Sequence, residues 1–107
     1  MILVLITVPE KDAKKVAKNL LDKQLCGCVN IIDSIESLFL WHGKIDREKE
    51  SLLIVKTIDG LFKKLEREVI RVHPYDVPEI ISFKLNKVSK PYASWLKKEL
   101  SAVDNVN

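Results

Sequence analysis

The sequence has too few cysteines and too short apolar runs for several classes of protein. Its 107 residues include two cysteines, three glycines and four prolines. Two cysteines cannot build a disulfide framework, so both are expected as reduced thiols of a cytoplasmic protein. No apolar run reaches the roughly 20 residues that a membrane span needs. Residues 1–8 lack a basic start and end at Pro9 and Glu10, so they are expected to form a strand and not an export signal.

What is present is a set of strand and helix patterns expected to form a single domain, residues 1–107. Apolar, β-branched runs predict strands at residues 2–8, 28–42, 51–58 and 79–85. Helical spacing predicts helices capped by Asp12 and Asp59, the first stopping at Gly27, and a last helix opened by Ser89 and Pro91. Residues 104–107 are expected to fray.

The order of these elements predicts the fold class. It reads βαββαβ with an added C-terminal helix, which is the ferredoxin-like split βαβ arrangement. We therefore expect an α+β protein with an antiparallel sheet and helices on one face. Many unrelated functions use this fold, so the fold alone does not settle the function.

The second strand is long enough to predict self-association. Residues 28–42 would span about 50 Å at the usual rise per residue, whereas typical strands have about five or six residues. The end of its hairpin, with Phe39 and Trp41, would project beyond a small sheet and expose apolar side chains. Pairing with further copies of the chain would cover them. The alternative is a bulge or bend near Ser34 or Ser37 that splits the run into two short strands.

A nucleic-acid partner is not expected. The net charge of +3 is too small to argue for one. RNA-binding domains of this topology stack bases on aromatic side chains of the first and third strands. Neither residues 2–8 nor residues 51–58 contain an aromatic residue. The lysines of the first predicted helix favour a solvated face, because no aromatic residue is interleaved with them.

Residues 73–81, His-Pro-Tyr-Asp-Val-Pro-Glu-Ile-Ile, hold the main candidate site residues. Two prolines predict a stiff, extended loop, since proline lacks an amide donor and fixes φ. The loop carries His73, Tyr75, Asp76 and Glu79, and polar groups on such a connection suit ligand binding. A rigid connection with solvated His73 and Glu79 is the alternative.

The thiol of Cys28 and the amine of Lys56 are further candidates. Cys26-Gly27-Cys28 could supply soft metal ligands, although two cysteines do not fill a tetrahedral zinc site. A nucleophilic pair of Cys28 with His73 would need an oxyanion site, and no glycine-rich turn marks one, so an enzyme is not expected. Lys56 interrupts an apolar strand and needs a partner such as Glu79.

Several separate motifs resemble the CutA divalent-cation tolerance family, over nearly the whole chain. They are Cys28-Val29-Asn30-Ile31, Trp41-His42-Gly43-Lys44-Ile45, Glu50 followed by residues 52–57, residues 73–80, and Tyr92-Ala93-Ser94-Trp95-Leu96. The family often has Tyr at Phe39, Glu at Asp76 and Ala at Cys26. The resemblance implies a homotrimer of ferredoxin-like subunits whose long hairpins extend the sheets of their neighbours, with Phe39 and Trp41 at the interface.

The resemblance also implies two candidate functions. The first is divalent-cation tolerance, with copper or another divalent cation bound by Cys28, His73 and Glu79 at clefts between subunits. The second is a trimeric small-molecule sensor similar to PII-type proteins, with Lys56, Tyr75 and Asp76 binding a ligand. Neither implies an organic cofactor, a membrane or catalysis.

Overall fold

The computed structural model describes residues 1–106, with side chains for residues 1–101. Residues 104–107, which are expected to fray, lie beyond the described side chains. The elements are β1 (Ile2–Val8), α1 (Glu10–Asp22), β2 (Cys28–Trp41), β3 (Lys44–Thr57), a 3-10 turn (Asp59–Leu61), α2 (Phe62–Val72), β4 (Ile80–Lys84) and α3 (Lys90–Val106). The four strands form one antiparallel sheet in the order β2-β3-β1-β4. The predicted ferredoxin-like order and added C-terminal helix are confirmed.

The core lies between one face of the sheet and the helices α1 and α2. Alternate side chains of β1, such as Val4 and Ile6, are fully buried against Leu20 of α1 and Leu65 of α2. This alternation follows from the two-residue period of a strand, which sends every second side chain to the same face. The other face of β1 carries half-buried residues such as Leu3, so one face of the sheet is packed less completely.

Both predicted helix caps are wrong. Helix α1 begins at Glu10 and its N-cap is Pro9, so Asp12 lies in the first turn, where its charge favours the helix dipole. Asp59 opens a 3-10 turn, and α2 begins at Phe62 without a side-chain cap. Backbone bonds of the tight turn replace the side-chain cap here.

The predicted stop of α1 at Gly27 is also wrong. The helix ends at Asp22, and Gln24 takes the left-handed conformation with φ of 54°. Gly27 is needed for a different reason: a Cβ there would lie 2.2 Å from the Cδ1 atom of Leu96. The missing side chain lets α3 pack closely against the start of β2, where Leu96 and Leu100 form a second small core with Leu61.

The β2–β3 hairpin is longer than predicted. Both strands have 14 residues, because the turn is only His42-Gly43 and β3 already begins at Lys44. Both turn residues have positive φ, 51° and 77°, as a two-residue hairpin turn of the primed type requires. The longest dimension of the subunit is 46 Å, about the length of a 14-residue strand.

A bulge interrupts the pairing of β2 without ending the strand. The register shifts between Ile32 and Ile35, and Ser34 has φ of 61°. The bulge foreseen near Ser34 therefore exists, but it does not split the run into two strands. None of the described helices combines the length and the apolar character needed to cross a membrane.

Candidate functional site

The candidate residues fall into two separate clusters of the subunit. Cys28 pairs in register with Lys56, and Lys56 pairs with Leu3 near the start of β1. His73 instead bonds to Thr7 near the end of β1. Leu3 and Thr7 are four residues apart, about 13 Å along a strand. One subunit therefore does not bring Cys28 and His73 together.

His73 is held by hydrogen bonds at both ring nitrogens. Its Nδ1 accepts the backbone N–H of Tyr75 at 3.1 Å, so the proton of the ring lies on Nε2. Nε2 donates to the backbone carbonyl of Thr7 at 2.7 Å. The residue is 8% exposed. The imidazole thus fixes the start of the loop on β1, and neither nitrogen has a lone pair free for a metal in this arrangement.

The first cluster, which we name the carboxylate cluster, consists of Glu50, Tyr75 and Glu79. The phenol of Tyr75 donates to Glu50 Oε2 at 3.0 Å. Glu50 lies on β3 and is only 4% exposed. Burial and, next, the hydrogen bond to Glu50 raise the pKa of Tyr75 to about 12. The phenol therefore keeps its proton at neutral pH and remains a donor.

Glu79 completes the carboxylate cluster from the far end of the loop. Its pKa is raised from the ordinary value of 4.5, first by burial and then by the charge of Glu50. Two carboxylates close enough to repel one another favour either a shared proton or a bound cation. Glu79 and Asp76, the two acidic residues of the loop, are both exposed to solvent.

The second cluster, which we name the thiol cluster, consists of Cys28, Lys56 and Tyr92. The Nζ atom of Lys56 lies 3.9 Å from Cys28 Sγ. The pKa of Tyr92, at the start of α3, is raised first by burial and then by the charge of Cys28. Among the described side chains, no carboxylate forms an ion pair with Lys56, so the expected pairing with Glu79 does not occur within one subunit.

Cys26 is a core residue and not a surface thiol. It is buried, whereas Cys28 is half-buried. Burial, and then the neighbouring Cys28, raise the pKa of Cys26 to about 12. The thiol of Cys26 stays protonated and is a poor metal ligand, because the thiolate is the ligating form.

No complete metal site lies within one subunit. Among the described residues, no three His, Cys, Asp or Glu side chains are placed to hold a metal ion together. The carboxylate cluster offers two carboxylates, which suit a divalent cation only if further ligands come from water or from another subunit.

The hairpin carries the exposed apolar surface that the sequence predicts. In the single chain Trp41 is 49% exposed and Phe39 is 38% exposed. The indole of Trp41 contacts the ring of His42 edge-on, with ring centroids 4.8 Å apart. Leu38, Leu40 and Ile45 are also exposed nearby.

Sequence reasoning missed two residues of these clusters. Glu50 appeared only as part of a motif, yet it is the buried acceptor for Tyr75. Tyr92 also appeared only as part of a motif, yet Cys28, after burial, contributes to raising its pKa. Only the pairing of distant elements shows either role, although the position of Glu50 beside a buried apolar run was a weak signal.

Comparison with known proteins identifies the family. The profile of the CutA1 divalent ion tolerance protein family matches residues 2–99. The divalent-cation tolerance protein CutA of Thermus thermophilus is 40% identical over 96 residues, covering 89% of this chain and 93% of that protein. The solved structure of the Thermus thermophilus protein superimposes with a TM-score of 0.89, at 40% identity, over 92% of this chain and 98% of that one.

A plant relative is similar over part of its length. The chloroplastic protein CutA of Arabidopsis thaliana is 42% identical over 97 residues, covering 90% of this chain and 53% of that protein. The chain thus spans about half the length of this relative. That relative is chloroplastic, so the expected cytoplasmic location stays a prediction. On the profile match and on identities of 40% and above, the chain belongs to the CutA1 divalent ion tolerance family.

Proposed function

We propose that this protein contributes to divalent-cation tolerance as a cytoplasmic homotrimer that binds copper or another divalent cation at the subunit boundary. Its family is described by tolerance to divalent ions and not by a reaction, which supports a binding protein over an enzyme. The observation that carries the proposal is the buried Glu50, which accepts the phenol of Tyr75 and whose charge, second to burial, raises the pKa of Glu79. A cation bound there would relieve the part of that rise that comes from repulsion.

The exposed hairpin supports the assembly. Phe39 and Trp41 lie at the end of β2, which extends well beyond the packed core. Strand β4 is a free edge, with Ile81 and Phe83 exposed. The apolar arm of one subunit can pack on the unpaired β4 edge of a neighbouring copy, so that both surfaces are covered.

A boundary site also accommodates the expected ligands. Cys28 and Glu79 are too far apart in one chain to share an ion, so Cys28 would have to come from a neighbouring subunit. In that cleft Tyr75 and Asp76 would border the ion, and Lys56 would lie beside the thiol. His73 acts as a ligand only if its Nδ1 atom releases the N–H of Tyr75; otherwise it positions the loop that carries Glu79.

Calorimetric titration of the metal-free trimer with Cu²⁺ and with Zn²⁺ at pH 7 tests the proposal. Native mass spectrometry first establishes the trimer for each variant. We expect Glu79→Gln to weaken binding by about tenfold or more, since it removes a charged ligand. Glu36→Gln is the matched control, because it removes the same charge from an exposed position of the hairpin. Wild-type affinity and stoichiometry in Glu79→Gln would exclude the carboxylate cluster as the site.

Cys28→Ser tests the boundary. If the thiol comes from a neighbouring subunit, this variant should also lose copper affinity while staying trimeric. Unchanged copper binding in Cys28→Ser would limit the site to oxygen ligands.

A small-molecule sensor is the second candidate. The observation that favours it is Lys56, which is half-buried beside Cys28 and has no carboxylate partner among the described side chains. A half-buried amine without a carboxylate partner suits an anionic ligand. Such a ligand would bind without metal and would be lost in Lys56→Gln.

A further inference from the structure

A groove between α1 and α2 is lined by cations and belongs to neither cluster. Two cavities of about 310 and 440 Å³ lie along it. The first adjoins Lys23, which directly follows α1, and Lys64 near the start of α2; the second adjoins Lys15 of α1 and Val72 at the end of α2. The helices therefore run antiparallel along the groove. Arg71 lines both cavities and marks their junction.

The excess positive charge of the chain is concentrated in this groove. Its charged lining residues are the cations Lys15, Lys23, Lys64, Arg67 and Arg71 and the carboxylates Asp12 and Glu68. These seven groups have a net charge of +3, which equals the net charge of the whole chain. The rest of the molecule is balanced, so an anion is attracted to this side of the subunit.

Glu68 orients the neighbouring cations, and the groove still keeps a net positive charge. It is 9% exposed, and its oxygens accept Arg71 Nε at 3.1 Å and an Arg71 terminal nitrogen at 2.6 Å. Asn19 donates to it at 2.5 Å, and the Lys23 Nζ atom lies 3.5 Å away. The carboxylate is thus satisfied from both helices. It holds the guanidinium of Arg71 in one orientation, with the remaining N–H donors free for a ligand.

We propose that this groove binds a small anion that carries two or more phosphate groups. Two arginines and three lysines suit phosphate oxygens, and a guanidinium held by one carboxylate is already oriented to donate to a second oxyanion. The cavity volumes fall at the small end of the range for small-molecule sites. No aromatic side chain lines either cavity, so base stacking, on which single-stranded nucleic acid depends, has no support here.

Calorimetric titration with inorganic tripolyphosphate tests this proposal. The full chain is measured at about 0.15 M salt with EDTA present, so that no divalent cation bridges the anion to the carboxylate cluster. The decisive variant is Lys64→Gln/Arg67→Gln. Its control is Lys97→Gln/Lys98→Gln, which removes the same charge from exposed positions of α3. We expect the groove variant to bind about tenfold more weakly or worse and the control to stay within about twofold of wild type.

Equal weakening in both variants would show attraction by net charge alone and would overturn the assignment. Absence of saturable binding by the wild-type protein would do the same. A single-stranded oligonucleotide that binds more tightly than tripolyphosphate, and loses affinity in the groove variant, would assign the groove to nucleic acid instead. Metal binding is absent from this experiment, so its outcome is independent of the proposed function.

Discussion

Tyr75 donates a hydrogen bond of 3.0 Å to Glu50 and so ties the proline loop to a carboxylate at the buried stretch of β3. His73, two residues earlier, ties the same loop to β1 through Thr7. The loop is therefore fastened to the sheet at two points. Glu79 and Asp76 take part in neither of these two bonds.

Tyr75→Phe should destabilise the protein, because it leaves a buried carboxylate without its phenol donor. We expect a loss of about 1–3 kcal/mol in the free energy of unfolding, measured by urea denaturation at pH 7. Glu50→Gln should cost less, since an amide oxygen can still accept the phenol proton. If Tyr75→Phe melts like wild type, water replaces the phenol and the loop is not fastened there.

Glu79→Gln should stabilise the metal-free protein at pH 7. The folded-state pKa of Glu79 lies above its ordinary value of 4.5. The protonated form is thus favoured by folding, and stability is lost as pH rises from about 4.5 through the folded pKa. The amide removes that loss, so the gain should shrink as the pH falls to 4. Thermal unfolding in EDTA between pH 4 and 7 measures it. Asp76→Asn, which removes the same charge from the same loop, is the control.

Glu68→Gln should have the opposite pH dependence. Hydrogen bonds from Arg71 and then Asn19 lower the pKa of Glu68 from 4.5 to about 2. Its contribution is therefore present above pH 4.5 and lost as the pH falls towards 2. The variant should be less stable than wild type at neutral pH and indistinguishable from it near pH 2. Glu66→Gln on the same helix serves as the control in the same urea titrations, and a Glu68→Gln deficit that persisted at pH 2 would contradict the assignment.

Trp41→Ala should weaken assembly. If the half-exposed indole is buried by a neighbouring subunit, its removal should cost about 3–5 kcal/mol and lower the melting temperature and the trimer population together. Light scattering over a dilution series measures the second effect. Glu36→Ala changes the same strand on its other face and should leave the trimer intact. A Trp41→Ala protein that remains trimeric with unchanged melting would place the indole outside the interface.

The sequence predicted the fold well because strand and helix periods are properties of local patterns. The four strands and three helices, the long hairpin and the stiff loop all follow from such patterns. Errors lay at element ends: Asp12 and Asp59 looked like caps, but proline geometry and a 3-10 turn determined the starts. The residues at which elements begin and end depend on contacts with neighbouring elements, and local sequence patterns carry no information about those contacts.

The candidate site was predicted less well, because its groups come from distant parts of the chain. His73, Tyr75 and Glu79 were found because they share one loop. Their partner Glu50, and the separation of Cys28 from His73, depend on strand register. The role of His73 was also hidden, because a buried imidazole bonded to two backbone groups looks the same in sequence as a ligand.

The bulge at Asp33 and Ser34 gives the two halves of β2 opposite phase. Before it, Cys28 and Ile32 lie opposite Lys56 and Leu52; beyond it, even-numbered and odd-numbered residues of the strand exchange faces. Phe39 and Trp41 consequently project on the same side as Cys28, although an uninterrupted strand would send them to the other side. One extra residue thus sets the side to which the whole arm of the hairpin points: pairing the same residues without the bulge would invert the arm, whereas deleting one bulge residue would keep Phe39 and Trp41 on the side of Cys28.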